Sequence, residues 1–283
     1  MPAAAPHLRT LLIGLLSIYL FIYPFAILLI ALDSVPVWGR WMGGALLILQ
    51  GTLMGLWLRL NYWRRGVLVA ALILLLAWAV EHIGVITGFP FGTYSYTDVL
   101  APKIAGVVPL AIPFAWLLVV PAAVGITEHL LFKPHTSTLT RVLMAALFAL
   151  LLDITIEPVA VHINGYWVWD HDSVGGYYGV PPSNFVAWWG TSVVLVWLML
   201  RFRHPPRQRG LPPPPTIMLI LPWMPPLLYV LNLVMFVLVN LAHGKTMAAV
   251  IGGLILIYLA LVWYAQDVRR RGSKAVRRLV RLR

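Results

Sequence analysis

Residues 78–98 read Trp78-Ala79-Val80-Glu81-His82-Ile83-Gly84-Val85-Ile86-Thr87-Gly88-Phe89-Pro90-Phe91-Gly92-Thr93-Tyr94-Ser95-Tyr96-Thr97-Asp98. They continue an apolar run, 67–77, suited to the interior of a bilayer, and set Glu81 and His82 inside it before the helix breaks at Gly88 and Pro90. An ionisable residue at the centre of a membrane helix costs about 2.5–3.5 kcal/mol, so it is kept for function or for a bond to a neighbouring helix. The segment after the break crowds Phe89, Phe91, Tyr94 and Tyr96 beside Asp98. Backbone of this kind at membrane depth is buried in protein or lines a cavity.

The same apolar character runs through the chain. Of its 283 residues, 61% are hydrophobic and 11% charged, with a mean hydropathy of +0.87, the composition of a multi-pass membrane protein. Apolar runs long enough to span fall at about 11–32, 41–59, 67–87, 105–128, 140–163, 184–202, 216–241 and 247–266. They predict an all-α bundle of about eight transmembrane helices in one polytopic domain over residues 1–283. The first run lacks a small-residue cleavage pattern before Asp33 and is read as a retained span. A Pro/Arg-rich stretch, His204 to Pro215, is the one linker-like segment.

The net charge of +12 raises the question of nucleic acid, and the placement of the cations answers it. With a cytoplasmic N-terminus, 18 of the 21 Lys and Arg residues fall on cytoplasmic segments, leaving Arg40, Lys103 and Lys245 outside. The positive-inside rule then puts both termini in the cytoplasm of a cell-membrane protein. The basic segment 267–283 reads as an anchor on anionic lipid, not a nucleic-acid site. Absence of cysteine excludes disulfides, iron–sulfur clusters and thiol nucleophiles.

A second acidic element lies on helix five, where Asp153 and Glu157 are four residues apart and share a face. Helix register puts Glu157 at about the depth of Glu81, so three carboxyl groups from two helices converge on one half of the membrane. Pro158 has no N–H to give to the Ile154 carbonyl, which leaves a polar acceptor between the two acids. Trp78 sits one turn before Glu81 on the same face, and Gly84 and Gly88 continue the stripe with room for a neighbour or ligand. Pro109, Pro113 and Pro121 around Trp116 predict an irregular helix four that contacts something other than lipid. Asn184, Trp188 and Thr191 share a face of helix six. The aromatic segment 164–184 reads equally as interfacial belt and as pocket lining, and Tyr19, Tyr23, Trp38 and Trp41 as belt. Glu128, His129, Lys133 and His135 read as solvated interface.

Clustered histidines at metal spacing, a Gly-rich dinucleotide turn and a phosphate loop are all missing, so no metal or cofactor is expected. Asp153-x-x-x-Glu157 resembles half of a magnesium site for a prenyl diphosphate, but no cluster of Lys or Arg accompanies it. Acid–base chemistry in an apolar, aromatic cavity remains. Burial and a like-charged neighbour both disfavour ionisation, so one member of such a cluster keeps its proton while another is an anion. A donor, an anion and π-faces are what protonation of a carbon–carbon double bond requires. The substrate is then a lipid.

Glu81-His82-Ile83-Gly84, Thr87-Gly88-Phe89-Pro90-Phe91-Gly92-x-Tyr94-x-Tyr96, Asp153-x-x-x-Glu157-Pro158, Trp167-x-Trp169 and Tyr177-Tyr178-Gly179-Val180-Pro181-x-x-Asn184-Phe185 form an ordered set over residues 78–190. It resembles the CruF-type carotenoid hydratases, integral membrane proteins of carotenoid biosynthesis. The resemblance implies addition of water across the terminal C1=C2 bond of an acyclic ψ end, giving a 1-hydroxy carotenoid. It implies catalytic roles for Glu81, Asp153 and Glu157, with Asp153 or Glu157 as proton donor and Glu81 as anion or base. His82, Tyr94, Asp98 and Asn184 are expected to support them, and Trp78, Tyr96, Trp116, Trp167, Tyr177 and Trp188 to line the substrate. Asp98, Asp170, Asp172 and Asn184 offer a polar route for water. The alternatives are a membrane lycopene cyclase, which closes the same cation on an internal double bond, and a non-catalytic carotenoid or lipid binder. The expected partners are a carotenoid, water and membrane lipid, without nucleic acid.

Overall fold

The computed structural model describes residues 6–131, 136–170, 176–203 and 221–280. Within them the protein is an all-α bundle: α1 (Pro6–Ala31), α2 (Met42–Thr87), α3 (Ala111–Ile126), α4 (Thr138–Pro158), α5 (Pro182–Phe202), α6 (Met224–Ala242) and α7 (Thr246–Val280). Seven helices are long and apolar enough to cross a membrane, so this is a multi-pass membrane protein. Helices suit lipid because every backbone donor finds its acceptor four residues back. α1 turns Phe21, Phe25 and Leu28 outward with more than half of their surface uncovered, whereas α3 is buried along almost its whole length. α3 is therefore the axis around which the others pack.

α2 is not one straight rod. Trp63 interrupts it with φ 54° and ψ −126°, and a Cβ placed on Gly66 would lie 2.0 Å from the carbonyl oxygen of Leu58. Eight residues of straight helix would separate those positions by about 12 Å. The chain thus doubles back at Trp63, and only a residue without a side chain fits where the two legs meet. The Arg59 and Arg64 guanidinium groups lie 6.0 and 5.1 Å from the Trp63 ring at that bend.

Two expected boundaries move. Helix four, expected from about 105, begins at Ala111, because Ala105 and Gly106 take positive φ (51° and 73°) and turn a small hairpin, β2 (Lys103–Ile104) with β3 (Val108–Pro109). Pro109 therefore lies in a strand. Pro113 falls in the first turn of α3, where a missing donor costs little, and Pro121 alone interrupts the helix interior. The last helix continues through Val280, beyond the expected 266. The stretch His204 to Pro215 and the expected start of helix seven near 216 lie outside the described residues, as do Lys133, His135 and Asp172.

Two further strands make the cap at one end of the bundle. β1 (Tyr94–Tyr96) follows α2, β4 (Trp167–Trp169) follows α4, and the two pair antiparallel with Tyr94 opposite Trp169 and Tyr96 opposite Trp167. Between α4 and β4 the chain makes a π-helical turn, Val159–Ile163.

Candidate active site

Alternation along a strand puts Tyr94, Tyr96, Trp167 and Trp169 on one face of the cap, while Ser95 and Val168 are exposed. The inner face meets α2 and α4, and cross-strand partners touch, with ring centroids 5.1 Å apart for Tyr94 and Trp169 and 6.0 Å for Tyr96 and Trp167. Phe91 packs on Gly84, so the room on that helix face is taken by the protein's own loop.

Each strand then supplies two hydrogen bonds to one buried carboxyl group. Glu81 Oε2 accepts from the hydroxyls of Tyr94 (2.6 Å) and Tyr96 (2.8 Å), and Oε1 accepts from Trp116 Nε1 of α3 (2.9 Å). Glu157 Oε2 faces the indole nitrogens of Trp167 (3.3 Å) and Trp169 (3.4 Å), and Oε1 accepts from Asn184 Nδ2 of α5 (2.8 Å). Both sets consist of neutral donors, which orient the carboxyl groups without neutralising them. Burial, and then the nearby Glu81, push the Tyr94 and Tyr96 phenols well above their ordinary range, which keeps them donors. The contacts to Glu157 Oε2 are longer than the usual 2.7–3.2 Å, so that oxygen is held more loosely than either oxygen of Glu81.

Glu81 and Glu157 stand at the wall of a cavity of about 120 Å³. Its other walls are Tyr19, Tyr23, Ala26 and Ile30 of α1, Trp116 of α3, Trp188 of α5 and Met235 and Phe236 of α6. Trp116 and Trp188 stack at 3.9 Å and 17°. From Tyr19 to Ile30 the α1 wall runs about 16 Å along the helix. Among the described residues lining it there is no Lys, Arg or His. An apolar slot with two carboxylates and π-faces matches an unsaturated hydrocarbon end.

The remaining residues singled out in the sequence sit around this cavity without lining it. Asp153 is wholly buried one turn before Glu157, and neither of its oxygens has a hydrogen-bond partner among the described residues. Tyr177 donates to the Ile154 carbonyl at 2.8 Å, the acceptor freed by Pro158. Trp78 packs on His82 with centroids 5.2 Å apart. Asp98 is exposed and pairs with Lys103 at 2.8 Å, a hydrogen bond and charge that hold its carboxyl below the usual range. Asp170 is exposed as well, so neither it nor Asp98 marks a path inward. Glu128, expected to be solvated, instead forms an ion pair with Arg203 at the end of the bundle away from the cap. Among the described residues, no three His, Cys, Asp or Glu side chains are placed to hold a metal ion.

A more polar cavity adjoins the first. A second cavity of about 510 Å³ is lined by Asp33, Arg40, Thr97, His162 and Asn164, and it shares Ala26, Ile30, Gly43, Leu46, Asn164 and Tyr166 with the first. Tyr166 narrows the junction: a Cβ on Gly43 would lie 1.8 Å from its hydroxyl oxygen. The sequence reading also missed Trp169 as a partner of Glu157, and took Tyr19 and Tyr23 for interfacial belt. Two signals were present, the aromatic-x-aromatic pairs at 94–96 and 167–169 that fix one face of a strand, and the 19, 23, 26, 30 spacing that fixes one face of a helix.

Comparison with known proteins bears on this geometry. Residues 42–259 match the family described as carotenoid biosynthesis protein. A bisanhydrobacterioruberin hydratase from Haloarcula japonica is 32% identical over 135 residues, 48% of this chain and 45% of that protein. The match thus spans a little under half of the relative's length. No solved structure matches the chain.

Proposed function

The chain belongs to the carotenoid biosynthesis protein family, and from that premise we propose that it is a hydratase working without a cofactor, adding water to the terminal C1=C2 double bond of an acyclic carotenoid. The observation that carries the reading is the pair of glutamates, each met by three neutral donors, at the wall of an aromatic cavity. The relative named above supports it, since that protein is a bisanhydrobacterioruberin hydratase.

In this scheme Glu157, through its loosely held Oε2, gives a proton to C2, and the electron pair of the double bond becomes the new C–H bond. Positive charge appears at C1, where two methyl groups stabilise it together with the face of Trp188 and the Glu81 carboxylate. A water oxygen bonds to C1, and Glu81 accepts the proton that leaves the oxonium, so hydrogen and hydroxyl are added with no net change in protons. The cycle closes when the proton held by Glu81 returns to Glu157 through water and Asp153, which lies one helical turn before Glu157 and both takes and gives that proton. The vestibule behind Tyr166 supplies the water, which favours hydration over cyclisation.

The same reading treats residues 1–283 as one polytopic domain. The reversal at Trp63 divides α2 into two spans, giving eight crossings with both termini on the cytoplasmic side of the cell membrane and the cap on the other. Expression in cells that accumulate lycopene or an acyclic C50 carotenoid tests the activity. Hydration yields pigment heavier by one water, lost in Glu157→Gln. Altered absorption at unchanged mass means cyclisation, and unaltered pigment with protein present in the membrane means binding alone.

A further inference from the structure

Six residues line both the apolar cavity and the more polar one beside it, and among them only Asn164 and Tyr166 carry polar side chains. Asn164 closes the π-helical turn Val159–Ile163, and its N–H returns to the Val159 carbonyl at 2.8 Å. Gly165, at φ 62°, turns the chain, and the Tyr166 N–H reaches the Ala160 carbonyl at 2.8 Å. From the cap, Thr97 donates through Oγ1 to the Gly165 carbonyl (2.6 Å) and through its N–H to the Tyr166 carbonyl (3.0 Å). The backbone of this turn is bonded along its length. Its polar side chains are not: neither the Asn164 amide nor the Tyr166 hydroxyl has a hydrogen-bond partner among the described residues.

Side chains that served only the fold would bond to it, as those of Thr97 and Tyr177 do. These two face the junction where a polar vestibule meets a hydrocarbon slot, and the Tyr166 hydroxyl reaches across it to Gly43 on α2. A hydrocarbon end group satisfies neither of them, and a polar group left bare by burial costs about 1–3 kcal/mol. Water satisfies both. It accepts from the Tyr166 O–H and donates to Asn164 Oδ1, which leaves it a free lone pair. Glu81 lines the apolar cavity only, so water entering from the vestibule meets Asn164 and Tyr166 before it meets the carboxylate that takes its proton.

We infer that Asn164 and Tyr166 hold the water molecule that adds to the carbocation, so that this pair decides whether the cation is hydrated or gives its proton back. This rests on the hydratase reading for the reaction itself, but holding the nucleophile is separable from making the cation. The held water presents its free lone pair to C1, the C1–O bond forms, and the oxonium passes one proton to the Glu81 carboxylate. Without the pair, Glu157 still delivers its proton to C2, but no oxygen stands ready at C1. The cation then loses a proton to a carboxylate of the site. Loss from C2 restores the substrate, and loss from a methyl group on C1 gives an isomer with a terminal methylene.

The test uses full-length protein in membranes suspended in D2O and supplied with lycopene or an acyclic C50 carotenoid. Pigments from the wild type, Asn164→Leu and Tyr166→Phe are compared by mass spectrometry. Tyr166→Phe keeps the ring that narrows the junction and removes only the hydroxyl. Two products are counted: pigment that has gained one water, and unhydrated pigment that has gained deuterium, the trace of a cation formed and lost. Each variant should raise the ratio of the second to the first at least about tenfold. A ratio that stays at the wild-type value, with both products falling together or neither changing, assigns the pair to the scaffold and overturns the inference while the hydratase reading stands. A wild type that hydrates neither pigment overturns that reading, and the water site falls with it. The two failures are distinguished because the second is read from the wild type alone.

Discussion

The two ends of the bundle treat glutamates in opposite ways. Away from the cap, Glu128 is answered by a full positive charge, the Arg203 guanidinium. Under the cap, Glu81 and Glu157 are answered by phenols, indoles and one amide. An ion pair fixes a carboxylate as an anion and neutralises it. Neutral donors orient a carboxylate while leaving its charge and proton affinity available for chemistry. The first solution suits a strut between α3 and α5, the second suits a site.

The comparison can be broken most severely at the glutamates themselves. Glu157→Gln and Glu81→Gln should each lower turnover by at least about 10²-fold at matched protein level, in the range that general acids and bases contribute. Asp153→Asn should cost a similar factor, yet the melting midpoint should hold, because the side chain gives up no hydrogen bond. A fall in stability without a fall in turnover would move Asp153 from the reaction to the scaffold.

Thinning the donor sets sharpens the contrast. Asn184→Leu removes the one short bond to Glu157 and should lower turnover by about 10- to 100-fold. Tyr94→Phe leaves Tyr96 on the same oxygen of Glu81 and should cost less, about tenfold. At the other end the readouts exchange places: Glu128→Gln should lower stability by about 1 kcal/mol, measured by thermal unfolding in detergent, while turnover per folded molecule is unchanged. The smallest effect belongs to Asp98→Asn, because the Asp98 carboxyl is itself open to solvent. Because Lys103 depresses the folded-state value of that carboxyl, whatever it adds is present above the ordinary carboxylate range and lost as pH falls through the depressed value. Any gap between the melting curves of wild type and Asp98→Asn should therefore be present near neutral pH and close as pH falls through that depressed value.

Much of the site was legible in the sequence because charge is conspicuous in an apolar chain. Glu81, Asp153 and Glu157 declare themselves by their cost, and helix register places Glu81 and Glu157 at about one depth with Asp153 a turn away. Pro158 announces a free carbonyl at Ile154, although nothing local names Tyr177 as its partner. Neutral polar groups are quieter: Asn164 and Tyr166 carry no charge penalty, so only their shared place at the junction of two cavities gives them meaning. The cap was hidden for another reason. Its strands are three residues long and lie 73 positions apart, from Tyr94 to Trp167, which is beyond any local pattern. Averaged hydropathy also carried helix four back over Gly106, because Val107, Val108 and Leu110 look the same to it in a hairpin as in a span.

The most direct test of the hydratase account is the mass spectrum of pigment formed by membranes containing the protein, given an acyclic carotenoid in water enriched in oxygen-18. Capture of a cation by water places one labelled oxygen in each new hydroxyl, and the label should be absent with Glu157→Gln. A product that forms without label, at the mass of its substrate, would contradict the account and leave the two glutamates serving a cyclisation.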